Sequence, residues 1–276
     1  MRLQGVFLTL AFGLVFAQAQ PADRQALWGE VADAEKKGLP KTAAAKLQLI
    51  YDSAMRDDQH AAAITALAKR ISHEGTVQGN KPEEKITRLR AELEKTPDEA
   101  KPLLETILGH WYWQYFRANR YRFLQRSTTA QPLGDDFTTW DLPRLYREID
   151  LHFTNALADG RLKAIPSTDF ADLLTKPTLP EHYRPTLYDF IAHEALGFYS
   201  SGEFAAAKPE DAFEVRVSDP LLGPLDNFLA WVPQTTDTES PQFKAVRLYQ
   251  DVLRFHLDEA DSSALNDTDF LRLLHG

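Results

Sequence analysis

Hydrophobic and polar residues alternate along the first part of the chain with a period of three to four residues. In residues 22–75 the alanine, leucine, isoleucine and valine side chains recur at this spacing, which gathers them on one face of an α-helix. Two interruptions, Gly38-Leu39-Pro40 and Arg56-Asp57-Asp58, contain residue types that favour turns. The pattern therefore predicts three amphipathic helices in this segment.

Small residues are frequent on the apolar faces of these helices. They allow antiparallel helices to approach closely, as in tetratricopeptide-type hairpins, and include Ala44, Ala54, Ala62 and Ala66. No clean 34-residue period is present, so the similarity to those repeats extends only to the way the helices pack.

Prolines preceded by capping residues predict further helix starts, because proline fits the first turn of a helix, where its missing N–H needs no partner. Asp141, before Leu142-Pro143, predicts a helix that runs to about Ala158. Thr96-Pro97-Asp98-Glu99 and Asn80-Lys81-Pro82-Glu83 predict two capping boxes. Three more segments are predicted to be helical and one to be a short strand: 185–201, 208–214 and 241–259 for the helices, and 213–217 for the strand.

The segment HWYWQYFRANRYRFLQR, residues 110–126, contains seven aromatic rings and four arginines. We place it on one helix that begins near Lys101, where helical periodicity gives it a core face. That face is predicted to contain Leu104, Leu108, Trp111, Tyr112, Tyr115, Phe116, Ala118 and Phe123. Trp113, Arg117 and Arg120 fall on the opposite side and, together with Trp140 after the following loop, are a candidate interaction surface. Since apolar residues all round a helix usually mean burial, a second layer of helices is the favoured explanation, and a partner-binding surface is the alternative.

These elements together predict an all-α fold of antiparallel helical hairpins packed in layers, tetratricopeptide-like in its N-terminal part. Residues 20–276 are expected to form the helical domain, with 20–126 and 140–276 as an alternative division into a hairpin array and a second helical half. The loop residues 127–139 and 232–240 connect the predicted helices.

The N-terminus has the order of features found in a secretory signal peptide. Arg2 precedes an apolar run from Val6 to Phe16, and small residues follow at Ala17 and Ala19. The run is too short to cross about 30 Å of hydrocarbon. We therefore expect residues 1–19 to be removed after Ala19 and the mature chain to be exported to the periplasm or cell envelope, with no membrane span.

The charge balance and the absence of cysteine exclude several classes of function. The chain has 40 acidic residues and 31 Lys and Arg, for a formal net charge of −9, whereas nucleic-acid binding requires a dominant basic surface. With no cysteine, the chain has no disulfide, thiolate nucleophile or lipid anchor on a thiol. No nucleic-acid partner is expected.

The segment Ala192-His193-Glu194-Ala195-Leu196-Gly197 begins like the helix of a zinc protease. The second histidine of that motif is missing, since Gly197 stands four residues after His193. One ligand on the helix face does not hold zinc, so we interpret His193 as a hydrogen-bonded helical histidine and predict no metal site. No glycine-rich phosphate loop or nucleophile motif is present, and we predict no cofactor and no catalytic residue.

Three carboxylates near Trp140 suggest a second kind of site. Asp135, Asp136 and Asp141, together with Trp140 and Trp113, are a mixture that carbohydrate sites use. Aspartates in loops more often accept hydrogen bonds from backbone N–H groups, and we favour that explanation.

Several long strings resemble the N-terminal helical region of large bacterial alpha-2-macroglobulin-like proteins. They are LWGEVADAEKKGLPKTAAAKLQLIYDSA, QGNKPEEKITRLRAELEKTPDEAKPLLETILGHWYWQYFRANRYRFLQRS, DDFTTWDLPRLYREIDLHFTNAL, YRPTLYDFIAHEALGFY and TTDTESPQFKAVRLYQDVL, and they cover most of residues 27–259. The resemblance implies an extracytoplasmic envelope protein of a family associated with protease trapping and defence.

Two features depart from that family. The thioester trap requires a cysteine, which is absent, and residues 271–276 are expected to begin a helix in a truncated C-terminus, without the β-sandwich macroglobulin domains. The resemblance therefore implies a non-enzymatic interaction or scaffold region, whose partner is another protein or the missing downstream domains. A carbohydrate-binding or carbohydrate-processing domain and a free-standing tetratricopeptide-like adaptor for peptides are the alternatives.

Overall fold

The protein is all-helical in a computed structural model that describes residues 21–79, 81–125, 134–170, 180–202 and 211–276. Its described residues form eleven α-helices and short 3-10 turns but no β-strand, which confirms the predicted fold class. The α-helices are α1 (Pro21–Lys36), α2 (Pro40–Arg56), α3 (His60–Val77), α4 (Pro82–Leu93), α5 (Lys101–Ala118), α6 (Arg120–Leu124), α7 (Leu142–Leu157), α8 (Leu187–Tyr199), α9 (Leu225–Ala230), α10 (Pro241–His256) and α11 (Ser263–His275).

Helices α1, α2 and α3 form two consecutive antiparallel hairpins, as predicted. Gly38 and Asp58 sit in the two turns with φ values of +64° and +54°, a left-handed conformation that glycine adopts freely and aspartate tolerates. The small residues Ala44, Ala54 and Ala66 are buried between the helices, and the side chains of Val31, Leu47, Ile50 and Ala66 form a small apolar cluster.

A larger core extends from α3 to α10. Helix α5 packs against α4 and α7, α7 packs against α8, and α10 packs against both α8 and α11. The fully buried rings of this core include Tyr112, Phe116, Trp140, Phe153 and Phe198. The helices therefore lie in layers, with the aromatic helix α5 inside.

Of the helix caps predicted from the sequence, the one at Asp141 forms and the one at Thr96 does not. Asp141 Oδ1 accepts a hydrogen bond from Arg144 N at 3.0 Å and begins α7, as predicted. The box predicted at Thr96 does not form: Thr96 Oγ1 donates instead to Glu92 O, and the next helix begins at Lys101. Asn80 lies outside the described residues, and the N-cap of α4 is Lys81, which makes no side-chain capping bond.

The second half of the chain differs from the prediction in three places. A capping box that we did not predict begins α8, with Asp189 bonded to the backbone N–H of Thr186 at 2.9 Å. Residues 211–214 are not helical and residues 213–217 form no strand, so both expectations there are wrong; 208–210 lie outside the described residues. Helix α9 was not predicted at all.

The predicted single aromatic helix breaks at Asn119, whose Nδ2 donates to the carbonyl of Tyr115 at 2.9 Å. This side-chain bond ends α5, and the short helix α6 follows. Most of the predicted core face is buried, but Trp111 is half-buried and Ala118 is exposed.

In the last helix, α11, a charged residue is buried and apolar residues are exposed, which is the reverse of the usual pattern. It begins at Ser263, so the expectation that a helix starts at residue 271 is wrong. Arg272 is fully buried, whereas Phe270, Leu273 and Leu274 on the same helix are exposed.

None of the helices that the described residues form is both long enough and apolar enough to cross a bilayer. The predicted signal peptide, residues 1–19, lies outside the described residues.

Candidate functional site

A groove of about 470 Å³ lies where α2, α3 and α4 meet. Small side chains on α2 leave space beside the longer polar side chains of α3 and α4. Its lining consists of Lys41, Ala44, Ala45, Gln48, Arg70, Glu74, Val77, Gln78 and Arg88.

Arg70 stands at the centre of this groove with its side chain only 12% exposed. Its guanidinium donates to Gln48 Oε1 on α2 and to Glu92 Oε1 on α4, the latter at 3.3 Å. It also lies 5.8 Å from the centre of the Tyr51 ring. Arg70 therefore ties three helices together and is held in one position. Burial raises the pKa of Tyr51, and the nearby carboxylate of Glu92 adds to that effect.

Arg88 closes the other side of the groove. It donates to Glu74 Oε2 at 2.8 Å and to Gln78 Oε1. Glu84, one turn earlier on the same helix, lies 4.0 Å away. Glu74 in turn lies 3.7 Å from Arg70 Nε. One carboxylate thus sits between two guanidinium groups, which fixes both arginines beside the groove.

Trp113, the first residue of the surface predicted from sequence, is half-buried against α8. Its ring lies 5.9 Å from that of Phe198, edge to face, and it also covers Gly197, where an added Cβ would be 3.6 Å from the ring. Arg117 lies 5.6 Å from the ring centre, and both Arg117 and Arg120 are exposed. The second layer of helices that we favoured therefore accounts for Trp113.

Trp140, the remaining predicted surface residue, has no exposed area. Its ring stacks with that of Tyr112 at 6.1 Å, its Nε1 donates to Gly134 O at 2.9 Å, and the Arg144 guanidinium lies 4.4 Å from its ring. We correct the prediction: Trp140 is a core residue and does not share a surface with Trp113.

Two of the three carboxylates near Trp140 are helix and turn caps, and the third, Asp135, is exposed. Asp136 accepts a hydrogen bond from Thr138 N at 3.0 Å, and Asp141 accepts one from Arg144 N. Both therefore have the backbone-capping role that we favoured over a carbohydrate site.

His193 is a hydrogen-bonded helical histidine, as predicted. Its Nδ1 lies 2.8 Å from the carbonyl of Asp189 and its Nε2 lies 3.3 Å from Thr268 Oγ1. Burial, followed by the charge of Arg184, lowers the pKa of His193 to about 4. In the part of the chain that the structure describes, no group of three or more His, Asp or Glu side chains is arranged to hold a metal ion.

Two further histidines are buried in ion pairs between helices. His256 lies 2.7 Å from Asp189 and 2.6 Å from Glu259. Burial by itself lowers the pKa of His256, but the bonds to these two carboxylates outweigh it and raise the pKa. His152 on α7 contacts the carboxylate of Glu105 on α5. Both pairs are enclosed in the core.

The groove was not predicted, because its residues are dispersed over 48 positions of sequence from Lys41 to Arg88. The one available signal was the pair of oppositely charged neighbours on each of two successive helices, Arg70 with Glu74 and Glu84 with Arg88, each four residues apart. Such pairs are common on exposed helices, so they do not reveal a site alone.

Comparison with protein-family models, with curated proteins and with solved structures found no match to this chain.

Proposed function

We propose that the protein is a non-enzymatic helical interaction module that binds an extended peptide segment of a partner protein in the groove between α2, α3 and α4. The observation that carries this proposal is the groove itself, with a volume of about 470 Å³ and walls of fixed polar side chains. Antiparallel helical hairpins form such grooves because each hairpin contacts only its neighbours and leaves one face open.

The chemistry of the lining supports a peptide as ligand. The methyl groups of Ala44 and Ala45 and the partly exposed Val77 offer apolar contacts, while Gln48 and Gln78 carry amide groups suited to a peptide backbone. A few fixed polar groups around an apolar surface are typical of ligand sites.

The resemblance to alpha-2-macroglobulin-like proteins is compatible with this role and adds a location. We propose that the chain is exported to the bacterial envelope and that the module binds another envelope protein or macroglobulin domains encoded with it. The carbohydrate hypothesis depended on Trp113 and Trp140, and it loses its basis because one ring packs against α8 and the other is buried.

Selection from a displayed library of random dodecapeptides tests the proposal. Ala45 is exposed and lines the groove, so Ala45→Trp places a large ring in the binding space without disturbing the core. We expect the wild type to enrich peptides that the Ala45→Trp variant binds at least tenfold more weakly, a loss of about 1.4 kcal/mol.

A matched control is Ala158→Trp, which introduces the same ring at an exposed position at the end of α7, outside the groove. This control should bind the enriched peptides like the wild type. If no peptide is enriched, or if the enriched peptides bind the Ala45→Trp protein equally well, the proposed function is wrong.

A further inference from the structure

The groove and its immediate surroundings are neutral, whereas the chain as a whole is acidic. Lys41, Arg70 and Arg88 are cationic and Glu74 is anionic, and the carboxylates of Glu92 and Glu84 lie 3.3 Å from Arg70 and 4.0 Å from Arg88. These six charges cancel, whereas the formal net charge of the whole chain is −9, so an anionic group is repelled less at the groove than elsewhere on the protein.

Lys41 is the cation of the lining that remains available to bind a ligand. It is exposed, lies in the first turn of α2, and has no ion-pair or hydrogen-bond partner among the residues that the structure describes. Lys46, five residues further along the same helix, is paired with Glu30 at 2.6 Å. The ammonium group at the groove is therefore free to bind an incoming anion.

The two arginines are fixed in place by carboxylate and amide groups of the protein. Arg70 donates to Gln48 and Glu92, and Arg88 donates to Glu74 and Gln78. Arg70 Nε is buried and has no hydrogen-bond partner within the described part of the chain, and its burial keeps it out of reach of a ligand. Because Glu74 lies between the two arginines and their charges offset one another, Lys41 is the charge of the lining that is left to attract an anionic ligand.

The size and chemistry of the anion follow from these groups. A carboxylate is planar and matches both a guanidinium and an ammonium donor, and the alanine-lined part of the groove accepts the small apolar side chains beside it. A nucleic acid would place many phosphates against a chain that is acidic overall.

We propose that the groove recognises an acidic peptide, one of whose carboxylates binds the ammonium group of Lys41. This inference rests on the proposed function and names the class of its ligand. The carboxylate belongs either to an Asp or Glu side chain or to the C-terminus of the peptide, and the test separates these sources.

The test uses fluorescence anisotropy with four labelled probes and the full chain. The probes are fluorescein-(Glu-Ala)4-amide, fluorescein-(Gln-Ala)4-amide, fluorescein-(Gln-Ala)4 with a free C-terminal carboxylate, and a fluorescein-labelled octathymidylate. The protein is used as wild type, Lys41→Gln, Ala45→Trp and Lys95→Gln. Lys95 is an exposed cation after α4 that does not line the groove, so its loss matches the change in net charge.

We expect at least one carboxylate peptide to bind at least tenfold more tightly than the neutral amide at 50 mM salt. Lys41→Gln should weaken that binding about threefold or more and leave the neutral peptide unaffected, Ala45→Trp should abolish it, and Lys95→Gln should not change it. Binding should weaken at 500 mM salt, because exposed charges are screened. Preference for the Glu peptide assigns a side-chain carboxylate, and preference for the free-acid peptide assigns the C-terminus.

Equal affinity for the charged and neutral peptides, or acidic-peptide binding that persists in Ala45→Trp, would overturn the inference. Octathymidylate binding as tight as that of the acidic peptides would also overturn it, since it would mean general attraction of anions. If library peptides bind the groove without this charge preference, the proposed function stands and only the ligand class is wrong. If no peptide of any kind binds, both proposals are wrong. Far-ultraviolet circular dichroism of each variant verifies that the helices are intact.

Discussion

We expect the imidazole of His193 to make the protein less stable as the pH falls below neutrality. Its Nδ1 lies 2.8 Å from the carbonyl of Asp189, which only accepts, so Nδ1 carries the proton. The neutral Nε2 then accepts from the Thr268 hydroxyl at 3.3 Å. A second proton on the ring would replace this bond by a charge in a half-buried site near Arg184.

The magnitude follows from the pKa values of the two states. Burial and then the charge of Arg184 lower the native pKa of His193 to about 4, whereas the unfolded pKa is near the ordinary value of 6.5. Between these values the unfolded chain binds the proton and the native protein does not, so stability is lost as the pH falls through this window. At about 1.4 kcal/mol per pH unit, lowering the pH from 7.0 to 4.5 should destabilise the native state by about 2 kcal/mol.

The assay is urea unfolding followed by tryptophan fluorescence at pH 7.0, 6.0, 5.0 and 4.5, for the wild type and for His193→Gln. Glutamine does not titrate, so the stability advantage of the wild type over the variant should shrink by about 2 kcal/mol across the series. Thr268→Val is the matched control: it removes the hydroxyl but keeps the imidazole, and should retain most of the wild-type pH dependence. A difference between wild type and His193→Gln that does not change with pH would refute the reasoning.

Three further predictions concern the buried Trp140, the helix cap at Asp141 and the predicted signal peptide. Trp140→Ala should destabilise the protein by about 3 to 5 kcal/mol and lower Tm by roughly 10 °C, because the side chain is fully buried; an unchanged melting curve would contradict this. Asp141→Ala should cost about 1 kcal/mol in urea unfolding through the lost cap, whereas Asp135→Ala, at an exposed position, should stay within about 0.5 kcal/mol. As the proposed export requires, the intact mass of the protein produced in a bacterial host should correspond to a chain that begins at Gln20; retention of Met1 would contradict cleavage after Ala19.

The helix-capping signals in the sequence had different outcomes in the structure. The cap at Asp141 formed because its partner N–H is only three residues away. The box at Thr96 did not form because no helix begins there: the Thr96 hydroxyl donates to the carbonyl of Glu92 in the preceding helix, and α5 begins only at Lys101. The capping box at Thr186 was present in the sequence, with Asp189 three residues later, and was missed because the usual box has glutamate or glutamine at that position.

Periodicity predicted which helices exist better than it predicted which side of a helix is buried. In α11 the buried side carries Arg272, whose guanidinium binds Asp269 and the carbonyls of Leu221 and Gly223 and lies 4.8 Å from the Phe228 ring. The two carbonyl partners come from about fifty positions upstream, so the sequence of α11 alone suggests the opposite orientation. Tertiary contacts that satisfy a buried charge outweigh the apolar pattern in this helix.

The aromatic helix contributes to the stability of the core, whereas the proposed binding site lies in the groove. The rings of α5 belong to the large core, where Tyr112 and Phe116 are fully buried, and the sequence signal that first suggested a binding surface there reflects packing. The groove lies beside the small cluster of Val31, Leu47 and Ile50, and its own lining is polar and partly exposed. Polar side chains that form a network across three helices contribute little apolar burial, and solvent-accessible charges such as Lys41 and Arg88 need no packing role. The proposed function therefore places ligand binding at the groove, where these side chains border open space, and not at the aromatic helix, whose rings pack in the core.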